Sequence, residues 1–137
     1  MLEKKLRLVK EGKNMKIAIS ATGRSLDSKI DAKFERSKFF LILDIEKNSL
    51  FSFENKTKDH PREIGGTIGL LIAKEGIDTV IASDIGPSAF DIFKGNGIKV
   101  YQTKGVVEEA VRLLKEGKLK ELTKPTVPRF SDWMKRQ

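Results

Sequence analysis

A run of five apolar residues, Phe-Phe-Leu-Ile-Leu at 39–43, most constrains how this chain can fold. A strand with apolar side chains on both faces is typical of the middle of a sheet that is covered on both sides. The turn residues 46–49 follow, and residues 50–54 alternate apolar and polar side chains, as an edge strand does. The sequence therefore predicts a layered fold in which a sheet is flanked by helices.

The rest of the pattern alternates strands and helices. Further strands are predicted at residues 16–21, 78–83 and 98–101, and helices are predicted from the glycines at 65–66 to about residue 75, after Pro87 and after Gly105. The order is βββαβαβα, which favours antiparallel pairing among the first strands and parallel pairing later, through right-handed crossovers. We therefore predict an α/β fold with a mixed five-stranded sheet.

The basic charge is concentrated at the two ends of the chain. Residues 1–14 carry five Lys/Arg and two Glu, residues 118–137 carry six Lys/Arg and two Asp/Glu, and the whole chain has a net charge of +8. The part between them is nearly neutral, which argues against nucleic acid as a partner. We predict a disordered or artefactual extension at 1–14, with Met15 as the true start, a domain at 15–117, and a basic, mostly irregular tail at 118–137.

Cysteine is absent from the chain. Its absence excludes disulfides, thiolate zinc sites, a catalytic cysteine and clusters held by the protein's own thiolates. No apolar run approaches the length of a membrane span, and the N-terminus has no apolar signal region. We therefore expect a cytoplasmic protein without a membrane partner, and a monomer or weak dimer. The 34% of charged residues is typical of a thermophile.

The segment that leads into the glycine-rich helix is the first candidate site. Its one histidine, His60, could bind a metal through a neutral imidazole, and the N–H groups near Gly65, Gly66 and Thr67 would attract an anion. One histidine does not make a complete metal site, but it can be a terminal ligand to a preassembled cluster that brings its own sulfides. The alternative is an exposed loop histidine with no function.

The turn at residues 83–88 is the second candidate. It follows a strand at its carboxyl end, where open α/β sheets place ligands. Ser83, Gly86 and Ser88 would offer small polar groups and backbone N–H donors to the same pocket. The alternative is a well-formed turn that Asp84 caps.

Other chemistries find less support. Arg24 and Arg36 could attract an anion, although exposed arginines usually have no such role, and neither a phosphate loop nor a dinucleotide fingerprint is present. The strand order resembles that of ribonuclease-H-like nucleases, but those enzymes hold an Asp in the first strand and this strand contains no acid. No Ser-His-Asp arrangement is indicated. We predict that the protein is not an enzyme.

A series of motifs resembles the dinitrogenase iron–molybdenum cofactor biosynthesis family, which includes small proteins similar to NifX, NafY and the C-terminal domain of NifB. The motifs are Phe34-x-Arg36 with Phe40, then Asn55, the glycine-rich helix start, Ile-Gly-Pro-Ser-Ala-Phe at 85–90 and Gly-Ile-Lys-Val-Tyr at 97–101. They extend over residues 15–117. The resemblance implies a ribonuclease-H-like, three-layer fold.

The resemblance also implies a function and a set of site residues. It implies that the protein binds or carries an iron–sulfur precursor of the cofactor, or the finished iron–molybdenum cofactor, and that its partners are cofactor-assembly proteins. In nitrogenase-associated relatives a histidine in this loop has been linked to cluster binding, and His60 lies there, with Asn55 at the loop's start. The sequence has Gly65-Gly66-Thr67 where the family commonly has Gly-x-Gly. A metal-free interaction or regulatory module, acting through the basic tail and Trp133, remains the alternative.

Overall fold

The computed structural model describes residues 15–56 and 64–127, with backbone alone at 64–67. The strands are β1 (Lys16–Ala21), β2 (Phe39–Asp44), β3 (Ser49–Glu54), β4 (Thr79–Ala82), β5 (Lys99–Gln102) and β6 (Lys120–Glu121). The helices in these residues are α1 (Ile64–Ala73), α2 (Pro87–Gly95) and α3 (Val107–Lys115). The order of the strands across the sheet is β3-β2-β1-β4-β5-β6.

The sheet is mixed, as predicted. β2 pairs antiparallel with both β1 and β3, whereas β4 is parallel to β1 and β5 is parallel to β4. The apolar run at 39–43 forms most of β2, whose residues 40–43 are all buried. The alternating strand β3 lies at one edge of the sheet, and most of its residues are exposed.

Helices pack on both faces of the sheet. Alternate residues of β1 and β2, such as Ala18 and Phe40, belong to an apolar cluster with α1 and α2. The intervening residues, such as Ile19 and Leu41, belong to a second cluster with α3. Because side chains alternate between the two faces of a strand, these clusters lie on opposite sides of the sheet. This arrangement explains why β2 is apolar at every position from 40 to 43.

The prediction of five strands is wrong, because β6 adds a sixth. β6 pairs antiparallel with Tyr101 and Gln102 of β5. It has only two residues, both charged and exposed, so no alternation of apolar side chains announced it. It lies in the segment that was predicted to be a mostly irregular tail, and Leu122, which follows it, is buried against the α1 and α2 side. The ribonuclease-H-like label stays a prediction.

Glycine and proline mark the ends of the helices. Gly76, after α1, and Gly117, after α3, both have φ near +70°, the left-handed conformation that ends helices. Pro87 is the first residue of α2, where a missing N–H is not costly. Gly69 serves packing: a Cβ there would lie 3.1 Å from Cδ1 of Ile92, so α1 and α2 approach closely at this point. No described helix is long and apolar enough to cross a membrane.

Candidate functional site

The loop that carries His60 lies outside the described residues, but both of its ends are described. It leaves the sheet after Asn55 and Lys56 and enters α1 at Ile64. Gly65, Gly66 and Thr67 lie in the first turn of α1, as predicted. The first N–H groups of a helix have no partner within the helix, so this end of α1 can donate hydrogen bonds. The role of His60 stays a prediction.

Asn55 fixes the start of this loop. Its side chain is buried, and its Nδ2 donates a hydrogen bond of 2.9 Å to the backbone oxygen of Glu35. Its backbone N–H donates to the oxygen of Lys38, also at 2.9 Å. These bonds tie the end of β3 to the segment that leads into β2. The sequence predicted Asn55 as a site residue, and the structure shows it as an anchor of the loop.

Glu35 connects this segment to the turn before α2. Its Oε1 accepts a hydrogen bond of 2.5 Å from the backbone N–H of Gly86. A Cβ on residue 86 would lie 2.9 Å from the same oxygen, so glycine allows the carboxyl group to approach. The N–H of Gly86, predicted as a donor to a ligand, is therefore engaged by the protein itself.

The surroundings of Glu35 shift its acidity. Burial raises the pKa of the Glu35 carboxyl above its ordinary value, because a charged group loses hydration there. The backbone hydrogen bond from Gly86 lowers this pKa, while the nearby negative charge of Asp84 raises it. Burial is the largest of these effects, so the net pKa is raised. The site thus contains a carboxyl group that gains a proton more readily than an exposed one.

The turn at 83–88 is held by long-range hydrogen bonds. Ser83 is buried, and its backbone oxygen accepts a bond of 3.0 Å from Nε2 of Gln102. The N–H of Ile85 donates to Oγ1 of Thr126 at 2.8 Å. Ser88 is exposed in the first turn of α2. The turn is therefore rigidly placed, and of its predicted site residues Ser88 is the one that faces solvent.

The backbone of Asp84 links the turn at residues 83–88 to the segment before β2. Its N–H donates to the oxygen of Ala32 at 3.1 Å, and its oxygen accepts from the N–H of Phe34 at 2.8 Å. The hydrogen bond between Asp84 and Phe34 therefore places the next residue, Glu35, close to Gly86. Three segments meet here: the one before β2, the end of β3 and the start of α2.

The two predicted arginines do not take part in these hydrogen bonds. The guanidinium of Arg24 lies 4.6 Å from the ring centroid of Phe39, and its Nη1 donates to Oγ of Ser52 at 3.4 Å. Arg24 thus packs against β2 and β3. Arg36 is exposed. Their roles toward an anion stay predictions.

The described residues offer hydrogen-bond donors rather than a set of metal ligands. The described residues contain no group of three or more His, Cys, Asp or Glu side chains that could hold a metal ion, and the whole chain lacks cysteine. Backbone N–H groups at helix starts suit an anion that brings its own ligands. The Oγ of Ser20, at the carboxyl end of β1, is also buried, and within the described part of the chain it has no hydrogen-bond partner.

A comparison with known protein families decides the relationship of this chain. The model of the family described as dinitrogenase iron-molybdenum cofactor matches residues 15–117. The chain belongs to this family. The chain is also 32% identical over 113 residues to an uncharacterized protein of Methanocaldococcus jannaschii. The aligned part covers 80% of this chain and 92% of the relative.

Solved structures agree with this assignment. The apo form of the orange protein from Desulfovibrio gigas superposes with a TM-score of 0.78 at 26% identity, covering 83% of this chain and 98% of that one. A Thermotoga protein provisionally named NifB, of the DUF35 family, superposes with a TM-score of 0.70 at 32% identity, covering 85% and 98% of the two chains. The mixed α/β fold and the family resemblance predicted from the sequence are thereby confirmed.

Sequence reasoning missed Glu35 and Thr126. Glu35 follows a lone Phe in a polar stretch, and its contact with Gly86 spans 51 residues. Thr126 lies between two prolines in the segment predicted as an irregular tail, 41 residues from Ile85. The family motif Phe34-x-Arg36 surrounds Glu35, and this was the one signal that could have drawn attention to it.

Proposed function

We propose that this protein binds or carries an iron–sulfur or iron–molybdenum-type cluster, or its precursor, as cargo and without catalysing a reaction. The observation that carries the proposal is the start of α1, whose first-turn N–H groups at Gly65, Gly66 and Thr67 follow the loop that carries His60. The hydrogen bonds of Asn55 and Glu35 tie the start of that loop to the start of α2. Family membership supports the chemical class of the cargo.

The chemistry of the cargo follows from the donors that the chain offers. His60 would be one terminal ligand through a neutral imidazole nitrogen, and the N–H groups of Gly65, Gly66 and Thr67 would face the anionic sulfides. Such a site has few covalent bonds to the cluster, so the cargo would be held labilely and could pass to cofactor-assembly proteins.

We also propose that the fold is ribonuclease-H-like but has lost nuclease chemistry. β1 reads Lys-Ile-Ala-Ile-Ser-Ala, so it supplies no carboxylate for a two-metal centre. Mg²⁺-dependent cleavage of a labelled duplex by the purified protein would contradict this proposal.

An anaerobic titration tests the cargo. The protein is titrated with an isolated iron–sulfur or iron–molybdenum cofactor, and the cluster absorbance is followed. We expect saturable binding by the wild type and binding at least about ten-fold weaker in His60→Ala, since tenfold corresponds to the loss of one modest ligand interaction. Lys118→Ala is the control, because Lys118 is exposed and pairs with Glu116 beyond α3. Absence of binding, or equal binding by His60→Ala and wild type, would refute the assignment.

A second candidate is a metal-free interaction module, and the exposed edge of the sheet favours it. β3 pairs only with β2 among the described strands, and Leu50 and Phe51 on it are 40% and 56% exposed. Edge strands with exposed apolar side chains are common docking sites. Capture of a protein partner from native extract by the wild type and by His60→Ala, but not by Phe51→Lys, would favour this function over cargo binding.

A further inference from the structure

A groove of about 680 Å³ lies on the side of the sheet that carries α3. Its apolar floor is formed by Leu26, Leu43, Ile45, Val106 and Val111. In the described part of the chain α3 is the one helix on this side, whereas both α1 and α2 cover the other. The groove therefore leaves the end of β2 open beside α3.

The described chain begins next to the floor of this groove. The side chain of Met15 packs against the same apolar cluster as α3, and its backbone oxygen accepts a hydrogen bond of 3.0 Å from the N–H of Ile45. Ile45 is itself a residue of the floor. The 14 residues that precede Met15 thus join the fold next to the groove.

The sequence of that segment matches an apolar groove of this length. Leu2, Leu6 and Val9 have the spacing i, i+4, i+7, which places them along one face of a helix, and Lys5 and Lys10 flank this face. A helix over residues 2–11 would be about 15 Å long, close to the length of α3. Residues 12–14, which begin with Gly12, leave about 10 Å of chain for the connection to Met15.

We propose that residues 2–11 form an amphipathic helix that occupies this groove, with Leu2, Leu6 and Val9 on its floor. Two acidic and two basic side chains also line the groove: Glu108, Glu109, Arg112 and Lys115. Glu109 pairs with Arg112, so Glu108 is the acidic residue that would face the flanking lysines. The segment then completes the cover of the sheet on the α3 side. If translation began at Met15, the groove would instead stay open. The proposal does not depend on the cargo of the protein.

Chemical shifts test the position of the segment. The full chain and a chain that starts at Met15 are compared by amide NMR. We expect the deletion to shift the amides of Val106 and Val111, which lie on the groove floor. Ile45 is not a readout, because its N–H bonds to the oxygen of Met15 and would shift with or without docking. In the full chain, Leu6→Glu reproduces these shifts, whereas Leu8→Glu, off the apolar face, does not. Shifts confined to residues adjacent to the deletion, or shifts that depend on protein concentration and so point to a second copy, overturn the proposal.

Trypsin cleavage within residues 1–14 of the full chain is a second, independent measurement. Burying one leucine is worth enough to change the docked fraction about ten-fold. Leu6→Glu should therefore speed cleavage after Lys10 by about that factor; the bond after Lys5 is not used, because the new glutamate directly after that lysine itself slows trypsin. Val106→Glu should do the same from the groove side, since Val106 is 38% exposed and tolerates a charge. Val127→Glu, equally exposed at 43% but outside the groove lining, is the control. Equal cleavage rates in all these variants would contradict docking.

Discussion

Replacing Phe34 by alanine should remove the support of the loop that carries Glu35. The Phe34 side chain is fully buried, and its ring centroid lies 5.0 Å from that of Phe40 and 5.5 Å from that of Phe93. It therefore links β2 to α2. Removing a buried Phe side chain costs about 3–5 kcal/mol of unfolding free energy, and two aromatic contacts favour the upper part of that range. We expect a loss of about 4 kcal/mol, a large share of the stability of a single domain.

Urea unfolding, followed by circular dichroism, measures this loss. Phe51→Ala is the matched control, because Phe51 is 56% exposed and its removal should cost less than about 1 kcal/mol. Phe34→Leu keeps most of the apolar volume and should lie between the two. The reasoning fails if Phe34→Ala loses less than about 1 kcal/mol or no more than the control.

Three further changes probe single contacts of the site and its supports. Glu35→Gln keeps an acceptor for the Gly86 N–H but removes the buried charge. Because burial raises the pKa of Glu35, the contribution of this group to wild-type stability falls as pH rises above the ordinary range of a glutamate. The stability of the variant relative to the wild type in urea unfolding should therefore grow from pH 4 to pH 7, and a constant difference would exclude this cause. Ser20→Ala removes a buried hydroxyl that lacks a partner among the described residues, so it should leave the melting temperature unchanged or raise it; a loss above about 1 kcal/mol would reveal an interaction. Gly69→Leu should destabilise the protein by about 1–3 kcal/mol in thermal melts, because a Cβ at this position already crowds Ile92. Gly69→Ala gains helix propensity and should stay near neutral. Equal effects of the two changes would contradict the close approach of α1 and α2.

Local patterns predicted most of the fold because each pattern has a local cause. The apolar run of β2 reflects burial on both faces, and the glycines at 76 and 117 reflect left-handed helix ends. β6 has no such cause: its two charged residues are exposed, it pairs with β5, and Leu122, which follows it, is buried against distant side chains. A short strand that is fixed by its neighbours in space leaves no periodicity in the sequence.

The site was predictable in position but not in its contacts. The turn at 83–88 could be placed because the carboxyl ends of parallel strands are where such folds hold ligands. The contact between Glu35 and Gly86 could not, since it joins residues far apart in the chain through one side chain in a polar loop. The role of Asn55 was similarly hidden: its position in the family motif marked it as a site residue, but the structure adds that it anchors the loop.

The Glu35 carboxyl group changes how the turn at residues 83–88 can interact with a ligand. It accepts the hydrogen bond from the Gly86 N–H that an anion would otherwise accept, so an anion reaching this N–H must displace it. A negatively charged cluster would also be repelled by the carboxylate and by Asp84 next to it. Because burial favours the neutral form of Glu35, protonation would remove the part of this repulsion that Glu35 causes. The first turn of α1, residues 64–67, contains no acidic residue, so no carboxylate of that turn competes for its N–H donors.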